Sequence, residues 1–459
     1  MIIDMIRVAD FFILAYFIML NFFYIILISF SVRGILFTFK ELDIGNALDL
    51  LKSKVIPPVS IIIPTYNEGE DVLNSIYSVL NNTCRSFSII IVNDGSKDNT
   101  LAILIEELGL VKRVPIFLKK LNVMAKVKDY YISEKYDNVV VIDKEHTDKS
   151  DSLNMAINFC QTPLFITVDA DTLVEASAIS DILFSVLIKP HAVAMGGSVY
   201  VLNGCEYQAG NLIKEKLSWN PLCLVQTFEY LRAFLYARLG FNVFGGALCF
   251  AGAFTLFERE VVVDIGGFEV GNVAQDFEII THLHAYARQK KYPYKLFYTP
   301  APAVWTNTPS TLRSYCHQRI NWQYGTLKSL MKHKYMLFNP KYGMVGLFTY
   351  PYFLLGEVFS AFVELLAYLL IPLNYYLGIL DLRWLILFIA LCWGFVAMIT
   401  MATTLLSLIT FNKYKRLSAL MFSFFAVIVE AFGLRQIHML CRVFGTVKYF
   451  LGRIKVCFI

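Results

Sequence analysis

The stretch Pro163-Leu-Phe-Ile-Thr-Val-Asp-Ala-Asp171 joins a short apolar run to two carboxylates that are one residue apart. The apolar part is rich in β-branched and aromatic residues and predicts a buried strand that ends at Val168. Two carboxylates at the end of a strand suit one task in particular, which is holding a hard divalent cation against phosphate oxygens. Because Asp-x-Asp also occurs by chance in solvated loops, its meaning depends on the residues around it.

The residues before this stretch alternate between strand and helix patterns. Val59–Pro64, Ser88–Val92 and Asn138–Ile142 predict three more buried strands, and helical patterns lie between the strands. This alternation predicts right-handed crossovers and a mostly parallel sheet, so the fold class is α/β.

Polar residues follow the predicted strands where a ligand would bind. In parallel sheets ligands bind beyond the carboxyl ends of the strands, and Tyr66, Asp94 and the pair Asp169 and Asp171 all fall there. The sequence has neither G-x-G-x-x-G nor a Walker A loop. A bound nucleotide would therefore need another source of positive charge for its diphosphate, and a cation on the aspartate pair together with Lys149 is sufficient.

The composition indicates a membrane protein that carries one soluble domain. Of the 459 residues, 57% are hydrophobic and 17% are charged, and the mean hydropathy is +0.55, which is more apolar than soluble proteins. The excess lies in four segments that are each a candidate to cross a bilayer: Phe11–Val32, Gly343–Tyr376, Leu385–Thr410 and Leu417–Phe432. We therefore predict an N-terminal transmembrane helix in residues 1–40, a soluble domain in 41–335, and transmembrane and interfacial helices in 336–459.

Basic residues near the apolar segments predict the topology. Arg33 and Lys40 follow the first segment, and the short loop Asn412–Arg416 is basic, so both regions are expected in the cytoplasm. The tail Arg435–Ile459 carries five basic residues among aromatics, which favours a helix on an anionic leaflet. Three complete C-terminal spans would leave this tail outside, so one of those segments is expected to be interfacial or broken.

Cysteine spacing and charge exclude several classes of protein. The nine cysteines are scattered without a C-x-x-C pair, which fits a reducing cytosol rather than a zinc site or a disulfide framework. The net charge of +5 is not gathered into a stripe that would indicate a nucleic-acid partner.

Seven motifs in order are similar to those of the membrane-integrated family 2 glycosyltransferases, a group that includes cellulose, hyaluronan and poly-N-acetylglucosamine synthases. The resemblance covers roughly residues 10–450 and implies a nucleotide-sugar-binding domain of the GT-A type between transmembrane helices. The motifs are VSIIIPTYNEGEDVLNSIYSVL, IIIVNDGSKDNT, DKSDSLNMAIN, FITVDADTLVE, AGAFTLFEREVVVDIGGF, QDFEIITHLH and TPSTLRSYCHQRINWQYG.

The resemblance implies roles for the residues of the donor site. Lys149 would face the diphosphate, and Asp169 and Asp171 would hold Mg²⁺ or Mn²⁺. Four residues would hold the uracil and ribose of a UDP-sugar: Thr65, Tyr66, Glu68 and Asp94. Locally, Asp94 also reads as a turn residue of Asn-Asp-Gly-Ser, and Lys149 also reads as a solvated lysine at a helix start.

Asp276, in Gln275-Asp-Phe-Glu278, matches the family's general base. It would take the proton of an acceptor hydroxyl that attacks the anomeric carbon, while the cation stabilises the departing diphosphate. An aspartate at a helix start is also a common N-cap, and Glu278 is the nearest rival base. His282 and His284 are expected to be packing or surface residues of the same helix.

The resemblance also implies residues that bind the acceptor. Gln318-Arg-Ile-Asn-Trp322 matches the family's Q-x-x-R-W, in which the tryptophan stacks on the acceptor sugar and the glutamine and arginine face the diphosphate. Trp322 also fits a tryptophan that anchors a helix at a membrane interface. In Ala251-Gly-Ala253, the small residue Gly252 would let the terminal sugar approach closely.

Three residues depart from the family pattern, and each removes a charge. Asn321 replaces the usual arginine, Gln275 replaces an acidic residue before the base, and Asn307 replaces a common glutamate. Asparagine cannot supply the bidentate phosphate contacts of arginine, so Arg319 is the nearest candidate to replace that charge.

The sequence thus predicts an inverting, metal-dependent transferase that moves a sugar from a UDP-sugar onto a growing β-linked polysaccharide and passes it outward. The expected location is multi-pass in the plasma (inner) membrane, with membrane lipids as neighbours and the catalytic domain in the cytoplasm. Two rivals remain open: an enzyme that adds a single sugar to a membrane lipid, and a catalytically impaired assembly or binding subunit. The sugar, the linkage, the product length and any partner subunits are not determined by the sequence.

Overall fold

The computed structural model describes residues 1–42, 57–84, 86–115, 117–411, 413–414 and 418–452. For residues 37–42, 410 and 418 it describes only the backbone. Several residues used in the topology prediction therefore lie outside the described part: the side chain of Lys40, and Asn412, Lys415, Arg416, Arg453 and Lys455. The chain forms two compact units. The first contains Met1–Gly34, Leu217–Phe244 and Thr308–Ile459, and the second contains Ile35–Lys216 and Gly245–Asn307.

This division differs from the predicted soluble domain 41–335, because residues 217–244 and 308–335 group with the apolar helices. The reason is visible at Arg232, the last residue of the helix Pro221–Arg232. Its guanidinium donates to Thr400 Oγ1 at 2.6 Å and pairs with Glu430 at 2.7 Å. Both partners belong to the C-terminal helices.

A central sheet organises the second unit. Within the described residues it has ten strands in the order β3-β4-β5-β2-β1-β6-β11-β8-β12-β7, and β9 pairs with β10 separately. The strands are β1 Val59–Thr65, β2 Phe87–Asn93, β3 Leu110–Arg113, β4 Val127–Ser133, β5 Val139–Lys144, β6 Leu164–Val168, β7 Thr172–Val174, β8 Ala192–Val201, β9 Glu206–Gln208, β10 Asn211–Lys214, β11 Phe254–Glu258 and β12 Lys295–Thr306.

The sheet is mixed, with a parallel centre. β5, β2, β1 and β6 are mutually parallel, whereas β11 runs antiparallel between β6 and β8. β8 and β12 are again parallel to each other. The carboxyl ends of β5, β2, β1 and β6 therefore lie along one edge of the sheet, which is where the candidate site residues begin.

The α/β fold class and the four strands predicted first are confirmed. Every residue of β1 and β6 is buried, as expected for strands covered on both faces. β3 and β4 are not among the predicted strands, and β4 is hard to predict because it mixes charged and aromatic residues and is only partly buried. The helices of this unit are Asp71–Leu80, Thr100–Leu108, Lys149–Phe159, Ala178–Leu187, Arg259–Asp264 and Gln275–Lys290.

Helices dominate the first unit. Four of its described helices are long and apolar enough to cross a membrane: Ile2–Leu36, Val345–Tyr376, Leu382–Ile409 and Ala419–Leu451. They match the four predicted segments. Two further helices, Pro221–Arg232 and Leu312–Lys332, belong to the same unit.

The expected broken segment is the last one. Phe432 and Gly433 leave helical geometry, with Gly433 at φ 144°, and a separate helix Arg435–Leu451 follows. Gly433 tolerates this backbone conformation because it has no Cβ.

Four largely buried arginines of the first unit form ion pairs with glutamates, as expected because an unpaired charge in apolar surroundings is costly. The pairs are Arg232–Glu430, Arg319–Glu229, Arg435–Glu364 and Arg442–Glu357. The prediction that the basic tail faces an anionic leaflet is wrong for Arg435. Its guanidinium contacts both oxygens of Glu364, at 2.6 and 3.1 Å.

Candidate active site

Asp169 and Asp171 lie directly after β6, as predicted. Asp169 forms an ion pair with Lys149, and Asp171 Oδ1 accepts a hydrogen bond from Thr306 Oγ1 at 3.2 Å, at the end of β12. Burial, followed by the neighbouring charge of Asp169, raises the pKa of Asp171 to about 6. The charge of Lys149 and the hydrogen bond from Thr306 offset this rise only in part.

Glu68 belongs electrostatically to the same acidic cluster. Burial comes first, and the charges of Asp171, Asp71, Asp169 and Asp98 then raise the pKa of Glu68 to about 7. The resemblance assigned Glu68 to the uracil and ribose, but its electrostatic neighbours include the aspartate pair.

The donor atoms of this cluster fit a divalent cation. Mg²⁺ and Mn²⁺ prefer carboxylate oxygens, and Mg²⁺ usually takes only one or two carboxylates together with substrate phosphates. Among the described residues, no group of three or more His, Cys, Asp or Glu side chains could hold a metal. A cation on Asp169 and Asp171 would thus complete its ligands with the donor's phosphates.

Lys149 is the cation of the protein at this site. It begins the helix Lys149–Phe159, whose N-cap Asp148 accepts a hydrogen bond from Asp151 N at 2.8 Å. Burial would lower the pKa of Lys149, but the charges of Asp169, Asp276 and Asp171 outweigh burial and raise it. The three neighbouring carboxylates distinguish Lys149 from a lysine that is simply solvated at a helix start.

Asp276 lies close to Lys149 and Gly252. A Cβ atom added to Gly252 would be 3.7 Å from Asp276 Oδ2 and 3.6 Å from Lys149 Nζ. The three residues line one cavity together with Gln275. The structure therefore brings the predicted base, the predicted diphosphate ligand and the predicted acceptor-side glycine together.

The alternative readings around Asp276 are resolved by burial and by the helix boundary. The helix begins at Gln275, so Asp276 is inside its first turn and Ala274 is the N-cap; the N-cap interpretation is wrong. Glu278 is fully buried, which keeps it from an acceptor hydroxyl. His284 is also fully buried, with a pKa lowered to about 4 by burial, which confirms a packing role.

The ends of β1, β2 and β5 form the other side of the site. Thr65 is buried, and its Oγ1 has no hydrogen-bond partner among the described residues. The Tyr66 ring stacks on the His146 ring with centroids 4.1 Å apart. Asp94 forms an ion pair with Lys144, a fully buried lysine at the end of β5.

The motif Gln318–Trp322 lies in the first unit, on the helix Leu312–Lys332. Arg319 is buried and bound by both oxygens of Glu229, with 2.9 Å between Nη2 and Oε2. Its guanidinium also lies over the Trp322 ring, 4.6 Å from the centroid. This pairing argues against Arg319 as a diphosphate ligand or as a replacement for the missing arginine.

The neighbouring motif residues remain available. Trp322 is 41% exposed, and the buried Oε1 of Gln318 has no hydrogen-bond partner among the described residues. Asn321 has a cation beside it, because Lys448 Nζ lies 3.4 Å from Asn321 Oδ1.

Comparison with known families decides the identity. The family model Glycosyl transferase family group 2 matches residues 164–411, which is more than half of the chain, and Glycosyl transferase family 2 matches residues 60–266. The chain is a family 2 glycosyltransferase.

Relatives of this glycosyltransferase include polysaccharide synthases. It is 24% identical over 274 residues to the poly-beta-1,6-N-acetyl-D-glucosamine synthase of Staphylococcus aureus strain COL. This alignment covers 60% of this chain and 56% of the relative. The chain is 24% identical over 289 residues to the synthase of the same name from Staphylococcus epidermidis, covering 62% and 59%. The match thus spans less than two thirds of each relative's length.

The fold has a solved counterpart. The mannosyltransferase PcManGT from Pyrobaculum calidifontis, solved in complex with GDP-Man and Mn²⁺, is similar with a TM-score of 0.53 and 15% identity, over 93% of this chain and 100% of that one. This likeness supports the GT-A-type fold of the glycosyltransferase.

Two residues that contact the predicted site residues Asp94 and Tyr66 are absent from the sequence prediction: Lys144 and His146. Lys144 ends the strand Val139–Lys144, and the charged pair Asp143-Lys144 at the end of an apolar run is the signal that could have marked it. His146 had no signal, because its neighbours Tyr66 and Asp94 come from distant parts of the sequence.

Proposed function

We propose that this glycosyltransferase is an inverting, metal-dependent enzyme that transfers a sugar from a UDP-sugar to the growing end of a β-linked polysaccharide. The observation that carries the proposal is that Asp276, Gly252 and Lys149 line one cavity and that Lys149 pairs with Asp169. A carboxylate and a cation beside the same small cavity support displacement at an anomeric carbon, which needs a base and a charge for the leaving group.

The donor's diphosphate lies at Asp169, Asp171 and Lys149 in this proposal. Asp169 and Asp171 would hold Mg²⁺ or Mn²⁺, which would supply positive charge to the leaving group. Lys149 donates to the same diphosphate as a point charge. Thr65, Tyr66, Glu68 and Asp94 are assigned to the nucleoside end of the donor.

The transfer step uses Asp276 as base. The acceptor hydroxyl oxygen forms a bond to the anomeric carbon while the bond from that carbon to the diphosphate oxygen breaks. The hydroxyl proton goes to the Asp276 carboxylate, and UDP leaves as an anion that needs no acid. Attack from the side opposite the leaving group inverts the anomeric configuration.

The acceptor is a glycan in the leading form of the proposal. Gly252 is assigned to its terminal sugar, and the roles of Trp322 at the acceptor and Gln318 at the diphosphate rest on the family resemblance alone. The named activity of the staphylococcal relatives favours N-acetylglucosamine as the sugar.

A polar cavity among the helices of the first unit, lined by Asn21, Tyr24, Glu357, Arg435 and others, supports outward passage of the product. In this proposal the protein lies in the plasma (inner) membrane, and its catalytic residues face the cytoplasm, where nucleotide sugars are made.

The test is UDP release by the purified full-length protein in detergent, across a panel of UDP-sugars with Mg²⁺ or Mn²⁺. We expect release with one sugar, and a product longer than one sugar by mass spectrometry. Asp276→Asn should lower turnover at least ~100-fold while UDP still binds. Absence of turnover with every donor would overturn the proposal.

One observation favours a lipid acceptor as second candidate. An apolar groove in the first unit, lined by Tyr16, Phe23, Phe348 and Leu355, shares Leu20 and Gly356 with the polar cavity. A lipid chain would fit such a groove with its polar head in the cavity. A product that carries a single sugar on lipid would establish this candidate and exclude the synthase.

The third reading, an impaired subunit, rested on missing charges. Lys448 beside Asn321 supplies a positive charge near one of the three positions. Gln275 lines the cavity beside Asp276 without occupying its place, and Asn307 is exposed. These placements favour an active enzyme, which the turnover assay decides.

A further inference from the structure

Lys144 is a fully buried charge beside Asp94. Besides the ion pair with Asp94, its Nζ lies 3.3 Å from Asp151 Oδ2 and donates to Thr147 Oγ1 at 2.5 Å. A buried ammonium persists only where such partners compensate it, so Lys144 and Asp94 form a fixed unit.

Both carboxylate oxygens of Asp94 have partners within the protein. Its Oδ1 accepts from Lys144 and from Thr147 N at 3.0 Å. Its Oδ2 lies 2.9 Å from His146 Nδ1. Asp94 is 4% exposed. The family resemblance assigns this aspartate to the nucleobase, but both of its carboxylate oxygens already have partners in the protein.

His146 faces Asp94 in a way that selects one tautomer. Nδ1 lies 2.9 Å from Asp94 Oδ2 and 2.9 Å from the Asp94 carbonyl oxygen. Both neighbours are acceptors, so Nδ1 carries the hydrogen, and in the neutral ring Nε2 is an acceptor. The side chain is 46% exposed and stacks on Tyr66.

We propose that His146, held by Asp94 and Lys144, contacts the donor nucleobase and selects a base that presents a ring N–H. This inference rests on the proposed nucleotide-sugar function. Uracil offers N3–H, and the acceptor Nε2 matches it, whereas cytosine offers a lone pair at the same position. Tyr66 supplies the aromatic surface beside the base.

Asp94 and Lys144 are positioning residues in this arrangement, because they act through His146. Lys144 also ties the base end to the diphosphate end. Asp151 belongs to the helix that begins at Lys149, and it accepts from Thr147 Oγ1 at 2.9 Å. A change in the contacts of Lys144 would thus affect both the residues at the nucleobase and the residues at the diphosphate of the donor.

The experiment measures binding of UDP, GDP and CDP, with Mn²⁺, to the full-length protein in detergent by calorimetry. The wild type should prefer UDP to CDP. His146→Phe keeps an aromatic ring but lacks Nε2, so the ratio of UDP to CDP affinity should fall about tenfold. His191→Phe is the matched control, because His191 precedes β8 at the opposite edge of the sheet, and it should leave the ratio unchanged.

A double variant separates positioning from direct contact. If Asp94 acts through His146, then Asp94→Asn added to His146→Phe lowers the ratio no further. If Asp94 itself reads the base, the two losses multiply and the inference is overturned. An unchanged ratio in His146→Phe overturns it too, as does a preference for CDP in the wild type. A wild type that binds no nucleoside diphosphate refutes the proposed function as well, whereas normal UDP binding with an indifferent His146 refutes this inference alone.

Discussion

Gly252 lies against Asp276 without a side chain between them. A Cβ atom on Gly252 would be 3.6 Å from Asp276 Cβ and 3.7 Å from its Oδ2, which are ordinary contact distances. A methyl group would therefore fit without displacing the protein. It would occupy the space beside the base and beside Lys149, where the terminal sugar of the acceptor is proposed to lie.

Gly252→Ala should thus separate activity from stability. We expect kcat/KM to fall about tenfold, or roughly 1.4 kcal/mol in the barrier, with an unfolding temperature close to that of the wild type. The control is Gly394→Ala, because nothing lies within 4 Å of a Cβ there. Equal activity in both variants would argue against an acceptor at Gly252.

Thr65→Val tests the buried hydroxyl at the end of β1. The Thr65 Oγ1 lacks a hydrogen-bond partner among the described residues, so replacing it with a methyl group should not destabilise the free protein. If the donor supplies the missing partner, the affinity for UDP should fall by about 0.5–1.5 kcal/mol. Calorimetry and thermal unfolding of the same sample measure both effects, and a loss of stability with unchanged affinity would contradict the assignment.

Cation binding should weaken in acid. The pKa of Asp171 is raised to about 6 and that of Glu68 to about 7, mainly by burial. As the pH falls through these values the carboxylates take up protons, and a cation must displace them. The Mn²⁺ concentration for half-maximal UDP binding should rise, by up to about tenfold per pH unit below about pH 6.

Glu68→Gln provides the check on that titration. It removes the group with the higher pKa, so the part of the change near pH 7 should disappear while the part near pH 6 remains. A requirement for Mn²⁺ that stays constant from about pH 8 to about pH 5.5 would exclude Asp171 as a cation ligand and Glu68 as a neighbouring charge that attracts the cation.

Arg319 should behave as a structural residue. Arg319→Met leaves Glu229 without its bidentate partner, and breaking a buried ion pair costs about 3–5 kcal/mol. The double variant Arg319→Met with Glu229→Met removes both charges and should recover most of the stability. Thermal unfolding in detergent measures this. A stable double variant with strongly weakened UDP binding would instead support the diphosphate role implied by the resemblance.

The sequence determined the centre of the sheet because local patterns specify it. β1, β2, β5 and β6 are short apolar runs, and the turn residues and carboxylates that follow them are adjacent in the chain. The apolar helices were equally clear, because about twenty apolar residues in a row have few other uses. The helix break was expected from charge counting, but only the backbone of Phe432 and Gly433 located it.

Only the tertiary structure decided which charged side chains pair with each other inside the protein. Arg319 and Glu229 are 90 residues apart, and Lys144 and Asp94 are 50 apart, so no local pattern could show that these pairs satisfy each other. The same holds for Gly252, Lys149 and Asp276, which lie close together although they come from three distant parts of the sequence. Sequence patterns specify secondary structure and motifs, whereas pairing and burial of charges depend on contacts between segments, and those contacts separate Lys149 at the cavity from Arg319 in its ion pair.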